Sequence, residues 1–545
     1  MSEPERPKSL TSADMIARRL YKAGCRHAFG IPGGEVVQLM DALERAGIKV
    51  TLVKHENCAG FMGEGVHHFD GAPAVLIATI GPGIANAANV IANATQDRVP
   101  LIALTGCVPA LQQQTYTHQV FDHVKLAEPI TKAAFRVDHG TAGVIADKAV
   151  AFATEGRPGA VLIDVPIDVQ GADHDGVKDL PPRAPLAPMA PAASADLEQA
   201  RQWFSQAQRP LMIAGVDVLN QNVSDAVAEF CHKQAIPLIT TYKAKGVLPE
   251  DEPLALGGAG LSPKADKILL PLIDKADLIV LAGYDPIEMR ASWSRPWQAD
   301  KRVIEFSAVP NSHYMHQASL NFIGNVAAGL RALADGGNRP AASWPDGEIK
   351  RVRADLAEAR GLDANWGPAA IVDECRKALP RNAIATVDSG AHRILLSQGW
   401  ECYEPRALLQ STALCTMGCA VPLAMGRKLA EPDRPVVAFV GDAGLEMFLG
   451  ELATARDLKL AIPIVVFVDR SLALIEMKQR GGQLPNLAVD FGATNFPAVG
   501  EALGGHGVWC DSRAELRGAM AQALKADRFT LIAARIDRKA YDGAF

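Results

Sequence analysis

Residues 435–444 have the sequence PVVAFVGDAG, and this stretch decides the fold around it. The apolar run predicts a buried strand, and LEMFLGELATAR at 445–456 predicts a helix directly after it. The small residues of Gly441-Asp442-Ala443-Gly444 let a ligand approach the backbone closely, and the start of a helix offers unpaired N–H groups to an anion. The stretch therefore predicts a parallel α/β sheet with an anion site at the end of one strand.

A second carboxylate follows the next predicted strand. PIVVFV at 463–468 is again a buried strand, and Asp469 comes directly after it. Parallel strands end at the same edge of a sheet, so we expect Asp442 and Asp469 to lie close together, where they would repel a bare phosphate. A divalent cation that bridges carboxylate and phosphate oxygens removes this conflict, which predicts Mg²⁺ with a diphosphate. The backbone carbonyl of Ser471 is a further candidate ligand, and the alternative is that Asp442 only caps a helix in an ordinary α/β loop.

The same alternation of apolar strands and alanine-rich helices extends over the whole chain. Strand patterns recur at 74–80 and 278–282, and helix patterns at 195–206 and 513–526. Two stretches rich in proline or turn-forming residues, 181–193 and 335–347, predict linkers. We therefore predict three successive doubly wound parallel-sheet domains of the α/β class, at 1–183, 184–346 and 347–545.

Composition excludes several classes of protein. With 545 residues the chain is long enough for about three domains. The hydrophobic share of 48% excludes disorder as the main state, and a net charge of −6 without a basic stripe argues against a nucleic-acid binder. No apolar run is long enough to span a membrane, the start is polar, and the nine cysteines are scattered. These features favour a cytoplasmic protein with reduced thiols.

The strand–turn–helix stretch at 435–456, together with the residues before it, resembles the signature of a known family. The matching positions are Met425-Gly426, Pro432, Val437, Phe439 and Gly441-Asp442-Ala443-Gly444. They resemble the extended signature of the thiamine-diphosphate (ThDP) enzymes, which implies ThDP and Mg²⁺ as cofactors and a pyrimidine-binding, a middle and a diphosphate-binding domain in that order. The family then carries Asn-Asn, where this chain has Val468-Asp469. Aspartate keeps an oxygen ligand but adds a negative charge.

The resemblance also implies an activating glutamate near the start of the chain. The strand VTLV at 50–53 precedes His55-Glu56-Asn57-Cys58-Ala59-Gly60, which resembles the His-Glu-x-x-Ala-Gly block of acetolactate synthases. A carboxyl group hydrogen-bonded to N1′ of the aminopyrimidine favours its imino tautomer, whose N4′ removes the proton of the thiazolium C2. Glu56 would have this role; the alternative is that it only complements a helix dipole.

Further segments resemble the cofactor and substrate loops of the family. FGIPGG at 29–34 resembles a substrate-side loop, which implies a substrate contact near Gly33. The segment 79–86 resembles the loop that holds the aminopyrimidine, which implies cofactor contacts at Gly81, Pro82 and Asn86. Met417, between Thr416 and Gly418, resembles the apolar wedge between the two cofactor rings; the alternative is an ordinary core residue.

Two positions depart from the synthases and bear on the substrate. His118-Gln119 stands where synthases have Phe-Gln, so Gln119 keeps the substrate-side contact. His118 either shuttles protons or packs as a loop residue. Lys478 lies near a position where anabolic synthases carry a substrate-sensing tryptophan, and it either meets an acidic substrate or lies on a solvated helix face. The middle segment lacks a GxGxxG fingerprint, so we expect no FAD.

The implied activity is that of a lyase or carboligase acting on a 2-oxo acid, with pyruvate as the expected donor. In the family the cofactor ylide attacks the donor, carbon dioxide leaves, and the enamine passes to an acceptor as in acetolactate synthesis. The resemblance also implies a homodimer or homotetramer with active sites between subunits. The alternatives are a ThDP enzyme acting on a sulfo-, phosphono- or acyl-CoA acid, or a non-catalytic homologue.

Overall fold

The computed structural model describes residues 9–174, 177, 181 and 183–545. In this part of the chain there are three six-stranded sheets, and every strand pair is parallel. This confirms the prediction of three α/β sheets with interleaved helices. The domain boundaries stay predictions, and Pro182 of the first predicted linker lies outside the described residues. Contacts group the chain into two compact units, which we call the first unit (the described residues up to 185, with 422–432 and 448–458) and the second unit (186–421, 433–447 and 459–545).

The first sheet belongs to the first unit and has the strand order β2-β1-β3-β4-β6-β5. Its strands are β1 (His27–Gly30), β2 (Lys49–Leu52), β3 (Ala74–Ala78), β4 (Leu101–Cys107), β5 (Ala133–Arg136) and β6 (Ala160–Pro166). Its helices are α1 (Ser12–Lys22), α2 (Val37–Ala46), α3 (Glu56–Asp70), α4 (Pro82–Gln96), α5 (His123–Ala127), α6 (Ala142–Thr154) and α7 (Ile167–Gln170). Apolar residues of α1, α2 and α6 form a core with one face of the sheet, while α3 packs against α4 and β3.

The second sheet has the order β12-β11-β10-β7-β8-β9 and lies in the second unit. Its strands are β7 (Pro210–Ala214), β8 (Leu238–Thr241), β9 (Ala255–Ala259), β10 (Leu278–Ala282), β11 (Val303–Ser307) and β12 (Leu320–Ile323). The helices are α8 (Ala195–Gln206), α9 (Val216–Asn220), α10 (Ser224–Gln234), α11 (Pro263–Lys275), α12 (Val326–Leu333) and α13 (Glu348–Ala359). One core lies under α8, α10 and α12 and another under α11 and α13, so both faces are covered.

The third sheet has the order β14-β13-β15-β16-β18-β17. Its strands are β13 (Ile384–Val387), β14 (Leu408–Gln410), β15 (Val436–Gly441), β16 (Pro463–Val468), β17 (His506–Cys510) and β18 (Thr530–Arg535). The helices along this part of the chain are α14 (Pro368–Ala378), α15 (Ala391–Gly399), α16 (Ala420–Ala430), α17 (Asp442–Met447), α18 (Glu451–Asp457), α19 (Ala473–Gly481), α20 (Phe496–Ala502) and α21 (Arg513–Ala523). Helices α14, α15 and α21 share a core with the sheet.

The strand order places the candidate residues. In the first sheet the order changes direction between β1 and β3, and in the third sheet between β13 and β15. Open α/β sheets bind ligands beyond the carboxyl ends of the strands at such a switch point. Gly33 and the loop at 79–81 follow β1 and β3, and Asp442 follows β15 directly. Both groups therefore lie at the binding edges of their own sheets.

The structure corrects two details of the sequence analysis. The helix predicted at 445–456 is two helices, α17 and α18, with a break at 448–450. At the break Gly450 lies against the Lys54 side chain, which leaves little room for a β-carbon. The second predicted linker is also partly packed, because Trp344 is buried and its Nε1 donates to the Pro210 carbonyl at 2.7 Å. Among the described residues, no helix has the length and hydropathy of a membrane span.

Candidate functional site

Asp442 joins the ends of β15 and β16. It is the first residue of α17, and its Oδ1 accepts a hydrogen bond from the N–H of Ala443 at 2.8 Å. Its Oδ2 accepts from the N–H groups of Asp469 at 3.1 Å and Arg470 at 2.7 Å. Asp442 therefore does more than cap its own helix, because it also fixes the loop that carries the second predicted carboxylate.

The charges of this pair favour a cation. Burial raises the pKa of Asp442 above its ordinary value, although three backbone hydrogen bonds act in the opposite direction. Burial and the neighbouring Asp442 raise the pKa of Asp469 to about 8. Without a cation, the two carboxyl groups do not both carry a full negative charge at neutral pH. A divalent cation would stabilise both charges, so the pair fits a metal site.

The protein offers this site few ligands of its own. In the described part of the chain, no group of three or more His, Cys, Asp or Glu side chains is arranged to hold a metal. The Ser471 hydroxyl donates to Glu476 Oε2 at 2.8 Å, and the Ser471 N–H donates to Asp469 Oδ1 at 2.9 Å. Mg²⁺ commonly completes its coordination with phosphate oxygens and water, so a two-carboxylate site matches a cation that arrives with a diphosphate.

Asp388 is a residue that the sequence analysis missed. It follows β13, and its Oδ1 accepts from the Gly441 N–H at 3.1 Å and from His392 Nε2 at 2.8 Å. Its Oδ2 accepts from the Gly418 N–H at 2.7 Å. A β-carbon at Gly444 would lie 2.1 Å from the same Oδ2, so only glycine fits there. Asp388 thus connects the Gly-Asp-Ala-Gly turn with the loop that carries Met417.

Met417 is half-buried, and the next residue, Gly418, has a φ of +76°. This left-handed conformation favours glycine at 418, and the Gly418 N–H donates to Asp388 Oδ2. The wedge role of Met417 stays a prediction. The signal for Asp388 was present in the sequence, as an aspartate directly after the apolar run 383–387.

The first unit carries the predicted glutamate. Glu56 is the first residue of α3 and is only 4% exposed. The side chain of His55 caps the helix by accepting from the Asn57 N–H at 3.1 Å. Asn86 Nδ2 donates to Glu56 Oε2 at 3.0 Å, so two residues predicted from separate segments are in direct contact. Among the described residues, no group donates to the other oxygen, Oε1.

The Gly81 loop is held by a buried histidine. Gly81 has a φ of +65° and precedes Pro82, the first residue of α4. Its N–H donates to His123 Nε2 at 3.2 Å, so His123 carries its proton on Nδ1 and donates it to Asp164 at 2.9 Å. Burial raises the pKa of Asp164, but hydrogen bonds, first that of His123, outweigh burial and lower the pKa. This network fixes the start of the helix that presents Asn86.

Of the residues predicted to lie near the substrate, some border the edge of the first sheet and others are exposed. A β-carbon at Gly33 would lie 2.1 Å from the Thr79 hydroxyl, and one at Gly81 would lie 2.4 Å from the Gln119 carbonyl. Gly33, Gly81 and the Gln119 backbone therefore border the same sheet edge. His118 is exposed, with its ring edge-to-face on Tyr116 at 6.3 Å, and Lys478 is exposed on α19. Their proposed roles stay predictions.

Glu451 is a second residue that the sequence analysis missed. It is 1% exposed at the start of α18, and its Oε1 accepts from the N–H groups of Lys54 at 2.6 Å and His55 at 3.0 Å. Burial raises the pKa of this carboxyl group. Nothing in the sequence links residues so far apart, so only the fold identifies Glu451 as the group that holds the backbone before Glu56.

Replacing Glu451 by Ala is expected to loosen that backbone. The Lys54 and His55 N–H groups lose their acceptor, which should make them exchange with deuterium about tenfold faster or more. Hydrogen-exchange mass spectrometry of peptides that cover 50–58 measures this. Glu451→Gln keeps an acceptor oxygen, so its exchange rate should lie between those of wild type and Glu451→Ala. Equal exchange rates in all three proteins would contradict the role of Glu451 as the acceptor for these N–H groups.

Comparison with known proteins agrees with this geometry. Three family descriptions match: the thiamine pyrophosphate enzyme N-terminal TPP binding domain at 10–126, the central domain at 197–333 and the C-terminal TPP binding domain at 388–534. The acetolactate synthase isozyme 1 large subunit of Escherichia coli is 31% identical over 87% of this chain and 84% of its own length. The acetolactate synthase of Bacillus subtilis is 29% identical over 96% and 93%. The catabolic acetolactate synthase of Raoultella terrigena is 27% identical over 96% and 95%. The chain therefore belongs to the thiamine pyrophosphate enzyme family, as an acetolactate synthase-like, ThDP-dependent enzyme of the carboligase kind.

Proposed function

We propose that this enzyme uses ThDP and Mg²⁺ to decarboxylate a 2-oxo acid, with pyruvate as donor, and to join the remaining fragment to an acceptor carbonyl. The observation that carries the proposal is the buried Glu56, with Oε2 held by Asn86. The relatives named as acetolactate synthases support pyruvate as the donor and acetolactate as the product.

Two groups of residues would bind opposite ends of this cofactor. Asp442 and Asp469 would hold Mg²⁺, together with the Ser471 carbonyl, and the turn at 441–444 would receive the diphosphate. Gly81, Pro82 and Asn86 would contact the aminopyrimidine, and Met417 would separate the two rings. Bound ThDP supplies a nucleophilic carbon and an electron sink.

Glu56 would hold a proton at its carboxyl group and share it with the pyrimidine ring nitrogen. Asn86 orients that carboxyl group by donating to Oε2, so Oε1 is the oxygen left for the cofactor. The low exposure of Glu56 keeps bulk water away from this contact. Gln119, and His118 beside it, would meet the substrate, with Gly33 and Lys478 as further candidates.

We also propose a homodimer or homotetramer, in which the Glu56 segment of one copy and the Asp442 turn of another act on the same cofactor. The family's quaternary arrangement supports this proposal. We further propose that the enzyme works without FAD and is cytoplasmic.

Carbon dioxide release tests the substrate. With ThDP and Mg²⁺, the enzyme is expected to release carbon dioxide from pyruvate and to form acetolactate, and chelation of Mg²⁺ with EDTA should abolish both. A panel of sulfo- and phosphono-substituted 2-oxo acids and acyl-CoA acids is assayed in parallel. Release from one of these acids and not from pyruvate would replace the proposed substrate. No release from any acid, with cofactor bound, would favour the non-catalytic alternative.

A further inference from the structure

Tyr541 is a buried residue with an unused hydroxyl group. It belongs to the C-terminal segment 536–545 and is 1% exposed. In the described part of the chain its Oη has no hydrogen-bond partner. Buried hydroxyl groups are nearly always paired, because an unpaired one loses its hydrogen bonds to water without replacement. An unpaired hydroxyl at this depth therefore points to a partner that the polypeptide does not supply.

The ring of Tyr541 packs among residues of two helices that follow loops of the candidate site. It packs with Ala391 and Leu395 of α15 and with Ala473 of α19. Helix α15 begins shortly after Asp388, and α19 begins shortly after the loop of Asp469. These contacts place Tyr541 at the carboxyl edge of the third sheet, where the diphosphate end of the cofactor is proposed to bind.

The C-terminal segment is fixed on both sides of Tyr541. Before it, the Ile536 N–H donates to the Val468 carbonyl at 3.1 Å, and Arg538 pairs with Asp490 at 2.8 Å. After it, Asp542 accepts two hydrogen bonds from Arg480, at 2.6 and 2.7 Å. Val468, which accepts the hydrogen bond from Ile536, directly precedes Asp469. The position of the hydroxyl is therefore tied to the loop that carries Asp469.

Three carboxylates influence the Tyr541 hydroxyl electrostatically, but none of them forms a hydrogen bond with it. Burial raises the pKa of Tyr541 well above its ordinary value, and the negative charges of Asp469, Asp442 and Asp388 raise it further. A tyrosine hydroxyl is in any case protonated at neutral pH and able to donate a hydrogen bond. Both oxygens of Asp442 and of Asp388 already accept backbone or histidine hydrogen bonds.

We propose that the Tyr541 hydroxyl donates a hydrogen bond to the diphosphate that Mg²⁺ brings to this site, which makes the C-terminal segment part of the cofactor site. The inference rests on the proposed function for the identity of that anion. A phosphate oxygen is a charged acceptor, so the bond would be stronger than one between neutral groups.

Tyr541→Phe tests the proposal, since it removes one oxygen and keeps the ring. The matched control is Tyr284→Phe: Tyr284 is also 1% exposed with an unpaired hydroxyl among the described residues, but it follows β10 of the second sheet, where its charged neighbours are Asp285 and Glu305. Calorimetry measures the Kd of ThDP and, separately, of inorganic diphosphate, each with saturating Mg²⁺. Tyr541→Phe should raise both Kd values by about ten- to a hundredfold, and Tyr284→Phe should change neither.

Stability of the cofactor-free proteins gives a second measurement. Because the hydroxyl has no partner in the described polypeptide, the melting temperature of cofactor-free Tyr541→Phe should be no lower than that of cofactor-free wild type. Addition of Mg²⁺ and ThDP should raise the melting temperature of Tyr541→Phe by less than it raises that of wild type. Unchanged Kd values for Tyr541→Phe, with wild type binding both anions, would overturn the inference alone. Binding of inorganic diphosphate but not of ThDP by wild type, with the expected loss in Tyr541→Phe, would support the inference and overturn the proposed cofactor. Binding of neither anion by wild type would overturn both.

Discussion

Replacing Glu56 by Gln is expected to lower kcat by about a hundredfold or more, while ThDP and Mg²⁺ still bind. Glutamine keeps the size of the side chain and an oxygen that Asn86 can contact. It cannot share an acidic proton with the pyrimidine nitrogen, so the step that activates the cofactor is lost. Steady-state carbon dioxide release gives kcat, and calorimetry gives the Kd of ThDP for the same preparation.

Glu64→Gln is the matched control for this variant. Glu64 is a buried glutamate on the same helix, α3, and it pairs with His68 at 3.3 Å instead of facing Asn86. Its amide variant should keep kcat near the wild-type value. Equal losses in Glu56→Gln and Glu64→Gln would mean that α3 is generally sensitive to charge, and a Glu56→Gln enzyme with wild-type turnover would contradict the catalytic assignment.

Much of the fold was predictable, because its elements follow from local patterns. The apolar runs at 278–282 and 463–468 coincide with β10 and β16, and the helix predicted at 195–206 coincides with α8. Continuous apolar strands indicate a sheet that is covered on both faces, which is the arrangement of the second sheet, with separate cores under α8, α10 and α12 and under α11 and α13. The break between α17 and α18 was not predicted, and the contact that Gly450 makes there, with the Lys54 side chain, involves a segment far away in the sequence.

Some residues of the candidate site were likewise predictable from local sequence, and others were not. Glu56, Asn86 and Asp442 were predicted because each lies in a short segment that resembles a family motif, and the fold brings Glu56 into contact with Asn86. Glu451 and Tyr541 were missed because their importance lies in contacts with residues far away in the sequence. Single positions outside a motif carry no signal of such contacts, since a glutamate or a tyrosine is ordinary on any helix or tail.

Replacing Asp442 by Asn is expected to raise the Kd of ThDP in the presence of Mg²⁺ by about a hundredfold or more. Three backbone N–H groups point at the two oxygens of Asp442, so an amide NH₂ in place of one oxygen would face a donor, and the metal would lose a negative ligand.

Asp469→Asn is the matched comparison. Only its Oδ1 accepts a hydrogen bond among the described residues, so the amide can turn its NH₂ away, and binding should stay within about tenfold of wild type. Equal effects of the two substitutions, measured by calorimetry, would contradict the unequal roles assigned to these carboxylates.

The same two defects, combined in one oligomer, test where the active site lies. If each site takes Glu56 from one copy and Asp442 from another, a mixed dimer of Glu56→Gln and Asp442→Asn chains has one site with both defects and one site with neither. Random reassembly of equal amounts makes half of the dimers mixed, so about a quarter of the wild-type turnover should return from two nearly inactive proteins. Co-expression with two affinity tags isolates the mixed species, which should then have about half of the wild-type turnover. A mixed species as inactive as its parents would mean that Glu56 and Asp442 of the same chain serve one cofactor, because no site would then have both residues intact.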